Sequence, residues 1–109
     1  MKVYTIPKVK QYLNDLITIL YEKGYFGYEE TAKKYVDELL DDIVTKLPTK
    51  LHKPAPECFD KYGKNMEYAG FQKNKRTTWY VFFTKYLENG EEIYLVRYIA
   101  NNHTIAQYL

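Results

Sequence analysis

The sequence predicts an α+β domain: an N-terminal strand, a helical hairpin, and a three-stranded antiparallel sheet with the helices packed on one face. Three observations carry this. Apolar residues recur at three- and four-residue steps from Val9 to Leu20 and again from Ala32 to Leu47, the stripe of an amphipathic helix. Proline closes the second run at Pro48, where a helix interior cannot continue. Two β-prone runs, Thr77 to Tyr86 and Glu92 to Ala100, are joined by Leu87-Glu88-Asn89-Gly90-Glu91, whose Asn-Gly step is a strong hairpin signal. At 109 residues the chain fits a single domain, residues 1–109, with one core that needs neither metal nor disulfide.

Element by element, Lys2 to Ile6 alternates and is stopped by Pro7, which reads as an opening strand. The first helix ends near Gly24, and Gly24 and Gly27 punctuate a short turn. The second helix spans about Tyr28 to Leu47, with Glu29 and Glu30 expected to pair with Lys33 and Lys34 one turn later. Two helices joined so closely form a hairpin that must bury its apolar stripe against a sheet. Pro48 to Asn65, with Pro54 and Pro56 among scattered lysines, reads as a long irregular connection, a length uncommon in a compact domain unless functional. Met66 to Gln72 is a third strand, and Lys73-Asn74-Lys75-Arg76 a basic turn into the strand of Trp79.

Strand parity separates two faces. Trp79, Val81 and Phe83, with Ile93, Leu95 and Ile99, are expected to pack on the helices. Tyr80, Tyr86, Tyr94 and Tyr98 are expected on an open side suited to stacking bases or docking a peptide. Arg97 breaks the pattern, because its parity places it with the buried set. Either a bulge re-aims it or it pairs internally.

Net charge is +2, with an uneven distribution: Met1 to Thr45 carries 6 lysines against 8 acids, whereas Lys46 to Lys85 carries 9 basic and 3 acidic residues. A local basic field suits a phosphate-bearing partner, although a solvated lysine surface has the same composition. The 13 tyrosines serve core edges or contact surfaces. One cysteine, Cys58, leaves no intramolecular disulfide, and the N-terminal residues lack the apolar run of a signal peptide, so a cytoplasmic setting is expected. No segment is long and apolar enough to span a membrane. With one cysteine and two histidines there is no zinc-ligand spacing, and there is no Gly-rich phosphate loop, G-x-S-x-G or H-E-x-x-H motif, so no cofactor is implied.

This order of elements, with a basic turn before the central strand and the run Ile93-Tyr94-Leu95-Val96-Arg97-Tyr98-Ile99 before a polar tail, resembles the RelE/ParE toxins of type II toxin-antitoxin systems, the group that includes plasmid stabilisation proteins. The resemblance covers nearly the whole chain, and Arg97 stands where the family's closing strand often carries an arginine. It implies an antitoxin partner and either an endoribonuclease acting on messenger RNA at the ribosome or an inhibitor of DNA gyrase. Cleavage would be metal-free, by attack of a 2′-hydroxyl on the adjacent phosphate. On that reading His103 and Tyr108 are the proton-transfer candidates and Arg97 the catalytic cation, with Lys73, Lys75, Arg76 and Tyr80 contacting RNA. An arginine often found on the strand after the turn is absent here, with Tyr80 and Phe82 in that stretch, and Asn101 and Asn102 replace one often found in the tail. The alternative is a non-enzymatic, toxin-like binding module that contacts gyrase or its antitoxin through an aromatic surface. The plainer reading of His103, beside two asparagines, is a cap on the end of the last strand.

Overall fold

The computed structural model describes all residues, 1–109. Chain order is β1 (Lys2–Thr5), α1 (Pro7–Glu22), α2 (Glu29–Lys46), a short 3-10 turn, β2 (Lys53–Pro54), a second 3-10 turn (Glu57–Tyr62), β3 (Glu67–Asn74), β4 (Thr77–Glu88), β5 (Glu91–Asn101) and α3 (Asn102–Ile105), followed by a last 3-10 turn. The sheet has five strands in the order β1-β5-β4-β3-β2. β1 runs parallel to β5, and the remaining neighbours are antiparallel. The expected three-stranded antiparallel sheet is therefore the centre of a larger mixed one. The opening strand joins its edge beside β5 because α1 and α2 carry the chain across one face and leave that edge free.

α1 starts with Pro7 in its first turn, where the missing N–H costs no helical hydrogen bond. Val9, Leu13 and Leu16 are its buried stripe. It ends just before Gly24, whose N–H donates to the Tyr21 carbonyl and whose φ of +77° lies in the left-handed region. α2 places Glu29 and Glu30 in its first turn, where they complement the exposed N–H groups of the helix end. The expected pairs of these residues with Lys33 and Lys34 do not form. The lysines bind Asp37 and Glu38, one turn further on.

Ala32, Val36, Leu39, Ile43 and Leu47 bury the other side of α2. With the α1 stripe, Val36, Leu39, Ile43 and Leu47 pack on Ala69, Phe71, Trp79, Val81 and Phe83 of the sheet. Removing each such aliphatic side chain from water contributes about 1.5–3 kcal/mol.

The bulge settles the parity question. Phe82 pairs with Tyr98 but Phe83 pairs with Val96, so Arg97 is the extra residue. Tyr94, Val96 and Ile99 consequently join the helix-side core, correcting the expected set of Ile93, Leu95 and Ile99. Parity counted back from Ile99 fails because one inserted residue shifts every side chain before it. Tyr94 is thus buried, its ring against Phe83 and His52 and its hydroxyl donating to Glu92.

The opposite face is only partly open. Phe59, from the second 3-10 turn, and Ile105, from α3, pack on Phe82 and Ala100, with Tyr80 and Tyr98 alongside. Tyr62 stacks flat on Tyr98 at 3.8 Å between centroids. The Pro48 to Asn65 connection, expected to be irregular, contains β2 and this aromatic cap. Phe59 and Tyr62 are its anchors, and their spacing of three residues matches a 3-10 turn. No helix is long and apolar enough to cross a membrane.

Candidate nucleic-acid interface

At one end of the molecule the helical hairpin, the β3–β4 turn and the β5–α3 corner meet around a cleft of about 540 Å³. Tyr12, Phe26, Tyr35 and Trp79 supply apolar rings, while Lys23, Asn74, Thr77, Asn101 and His103 supply the polar groups. Its walls come from α1, α2, β3, β4, β5 and α3, so its shape depends on how each is tied to the next.

Two asparagines make those ties. Asn74 accepts the Arg76 N–H at 2.9 Å and closes the turn on itself. Asn102 binds the turn twice across the sheet: its Oδ1 accepts the Thr78 N–H and its Nδ2 donates to the Arg76 carbonyl, both at 3.0 Å. This holds the basic turn beside the start of α3, and His103, the next residue, comes to 3.5 Å from the Thr77 hydroxyl through Nε2. His103 is exposed on the cleft rim rather than capping the strand. The Trp79 indole N–H donates to the Tyr35 hydroxyl at 2.9 Å, and the Lys73 ammonium lies 5.1 Å from the Tyr35 ring centroid. Both contacts orient Tyr35, and the second holds a cation over its π-face.

Lys23, Lys73, Lys75 and Arg76 have no carboxylate within 4.0 Å. Their charge is therefore not neutralised from inside the protein, in contrast to Lys33, Lys34 and Lys46 on α2 and Lys85 on β4.

The remaining sequence candidates lie elsewhere. Arg97, re-aimed by the bulge, donates from Nε to the Thr84 hydroxyl at 3.1 Å. Its Cδ lies against Gly63, so close that a Cβ there would stand 2.7 Å away. Tyr108 presents its ring edge-on to Phe59 at 6.5 Å. Both therefore belong to the face opposite the helices. Tyr80 lines a separate groove with Tyr68, Lys50 and Lys53 along β3. The fold thus gathers His103, Lys73, Lys75 and Arg76 at one end and leaves Arg97, Tyr108 and Tyr80 apart from them. No protein-family model matches this chain, and neither does any curated protein or solved structure.

Two tyrosine hydroxyls are held as the neutral acid. Burial, then the hydrogen bond to Tyr62, pushes Tyr98 up to about 12, and burial followed by the Glu92 carboxylate does the same to Tyr94. Neither can act as a base near neutral pH, and neither lines the cleft, on whose rim His103 is exposed. No group of three His, Cys, Asp or Glu side chains comes together that could hold a metal ion. The role of Asn102 is invisible in the sequence, where it is one of two adjacent asparagines. Its partners are 24 and 26 residues away.

Proposed function

We propose that this protein binds single-stranded RNA in the end cleft and acts as a toxin of the RelE/ParE type, cleaving messenger RNA at the ribosome under the control of an antitoxin. The observation that supports the reading is His103 on the rim of an aromatic-walled cleft, 3.5 Å from Thr77 at the foot of the turn that carries Lys75 and Arg76, with Lys73 over the Tyr35 ring of the same cleft. Rings and cations in that combination suit a base and its phosphate. In the reaction, the ribose 2′-oxygen attacks the adjacent phosphorus and the bond to the 5′-oxygen breaks, leaving a 2′,3′-cyclic phosphate and a free 5′-hydroxyl. His103 takes up the 2′-hydroxyl proton, a water molecule protonates the departing 5′-oxygen, and the lysines and Arg76 stabilise the charge that develops on the phosphorane. Arg97 and Tyr108 have no part in the cleft on this reading.

The test is growth after induced expression in a bacterial host. Arrest by the wild type, relieved at equal protein level by His103→Ala and by Lys73, Lys75 and Arg76 all changed to alanine, is the expected outcome. Arrest that persists in both variants would place the activity elsewhere. A non-enzymatic module docking to gyrase or an antitoxin has one observation in its favour: Tyr4 and Tyr86, 45% and 43% exposed, lie on the part of the second face that Phe59 and Ile105 leave uncovered. That module predicts arrest without any cut in cellular RNA.

A further inference from the structure

The outer edge of the sheet on the β3 side is mostly bare. β2 pairs only with Glu67 and Tyr68, and from Ala69 to Asn74 no strand lies beyond β3. A groove of about 480 Å³ opens against this edge, lined by Lys50, Lys53, Tyr68, Gly70 and Tyr80 among others. Its volume falls in the range of small-ligand sites, roughly 300–1,000 Å³. Gly70 shapes it. With no side chain at that position, the Tyr80 ring leans over the β3 backbone, its Cε1 3.5 Å from where a Cβ would stand. Tyr68 meets Tyr80 edge-on at 5.9 Å, fixing the ring from the other side.

Lys50 and Lys53 have no carboxylate within 4.0 Å, and Lys50 is poised over the Phe71 ring at 4.8 Å. At the far end of the same strand, Lys73 already belongs to the cleft mouth. Three unneutralised lysines therefore follow one unpaired strand, beginning at a pair of fixed tyrosine rings and ending at the cleft. The distance from Tyr68 to Lys73 is five residue steps, about 17 Å at the rise of a strand.

We infer that this edge is a binding track for the RNA strand: phosphates follow Lys73, Lys50 and Lys53, and one base stacks on Tyr80. The inference rests on the end-cleft reading and extends it from a single phosphate to a strand of about four nucleotides, the lower end of single-strand site sizes. A polypeptide strand could also pair with a bare edge, but backbone pairing requires neither lysines nor the half-buried Tyr68 and Tyr80 rings beside them. Charge and stacking surface together match nucleic acid.

The experiment is fluorescence anisotropy of a labelled ten-nucleotide oligouridine with the full chain, over a series of salt concentrations. Lys50→Ala/Lys53→Ala is expected to weaken binding about tenfold at low salt and to reduce the slope of log affinity against log salt by about 1.4, from roughly 0.7 per phosphate contact on a single strand. Tyr80→Leu, which keeps an apolar side chain over Gly70, is expected to weaken binding about tenfold with the slope unchanged. Circular dichroism checks that each variant is folded. Full RNA affinity in both variants, with loss confined to the Lys75→Ala/Arg76→Ala protein, would overturn the track and leave the cleft standing. The two edge lysines would then serve only to keep the bare strand from pairing with another chain. A wild type that binds no RNA would take both readings down together.

Discussion

At the scale of single residues, the side chain that organises the cleft is not one that would do chemistry. Asn102 uses its acceptor and its donor on two backbone groups of the β3–β4 turn, and no other residue type offers both at that reach except glutamine, which is one methylene longer. Asn102→Ala leaves the Thr78 N–H and the Arg76 carbonyl without these partners. The expected cost is about 1–3 kcal/mol, read from the urea midpoint, together with weaker RNA binding because Lys75 and Arg76 lose their fixed position. Asn102→Asp keeps the acceptor but not the donor, so it should fall between alanine and wild type. Stability unaffected by either change would show that the turn holds itself through Asn74.

At the scale of elements, the β4–β5 hairpin is the part of the fold most plainly written in the sequence. Asn89 and Gly90 both have positive φ, 53° and 78°, and Glu88 pairs with Glu91 across them. This two-residue turn has the twist that antiparallel strands require. Gly90→Val, which puts a β-branched side chain into a left-handed position, should lower stability by at least about 1 kcal/mol in thermal or urea unfolding. The helical hairpin was legible for the same kind of reason, since a 3.6-residue stripe and its stops are local signals. What stayed hidden is non-local. The bulge at Arg97 cannot be read from β5 alone, because a bulge is defined by a mismatch with β4. The caps provided by Phe59 and Ile105 depend on tertiary packing, and β2 is too short to show a period. For the site, the basic turn and His103 were legible by residue type. Their separation from Arg97, which the bulge re-aims, and from Tyr108, which packs on Phe59, is non-local, and so is the groove between Tyr80 and the β3 edge.

At the scale of the whole molecule, the tyrosines couple stability to pH. Tyr94 and Tyr98 are pushed from about 10 in the unfolded chain up to about 12 in the fold. A raised folded value means that the native state holds these protons more tightly. Their contribution is complete below pH 10 and declines as pH rises toward 12. Urea midpoints measured between pH 9 and 11.5 should therefore fall, and Tyr98→Phe should flatten part of that fall. A midpoint independent of pH across this window would mean that the two hydroxyls are better solvated than their positions indicate.

β1 pairs with residues 93 to 96, near the opposite end of the chain. Closing the sheet brings together segments separated by most of the sequence, a slow step for a small domain. During translation, β1 has no partner until residues 93 to 96 have been made. The corner that carries Asn101, Asn102 and His103 follows them directly. A nascent chain therefore has neither a closed sheet nor an assembled cleft until residues 93 to 104 have been made. Order at the cleft is therefore the last local structure that this stretch of chain acquires, because it waits for a pairing across some ninety residues.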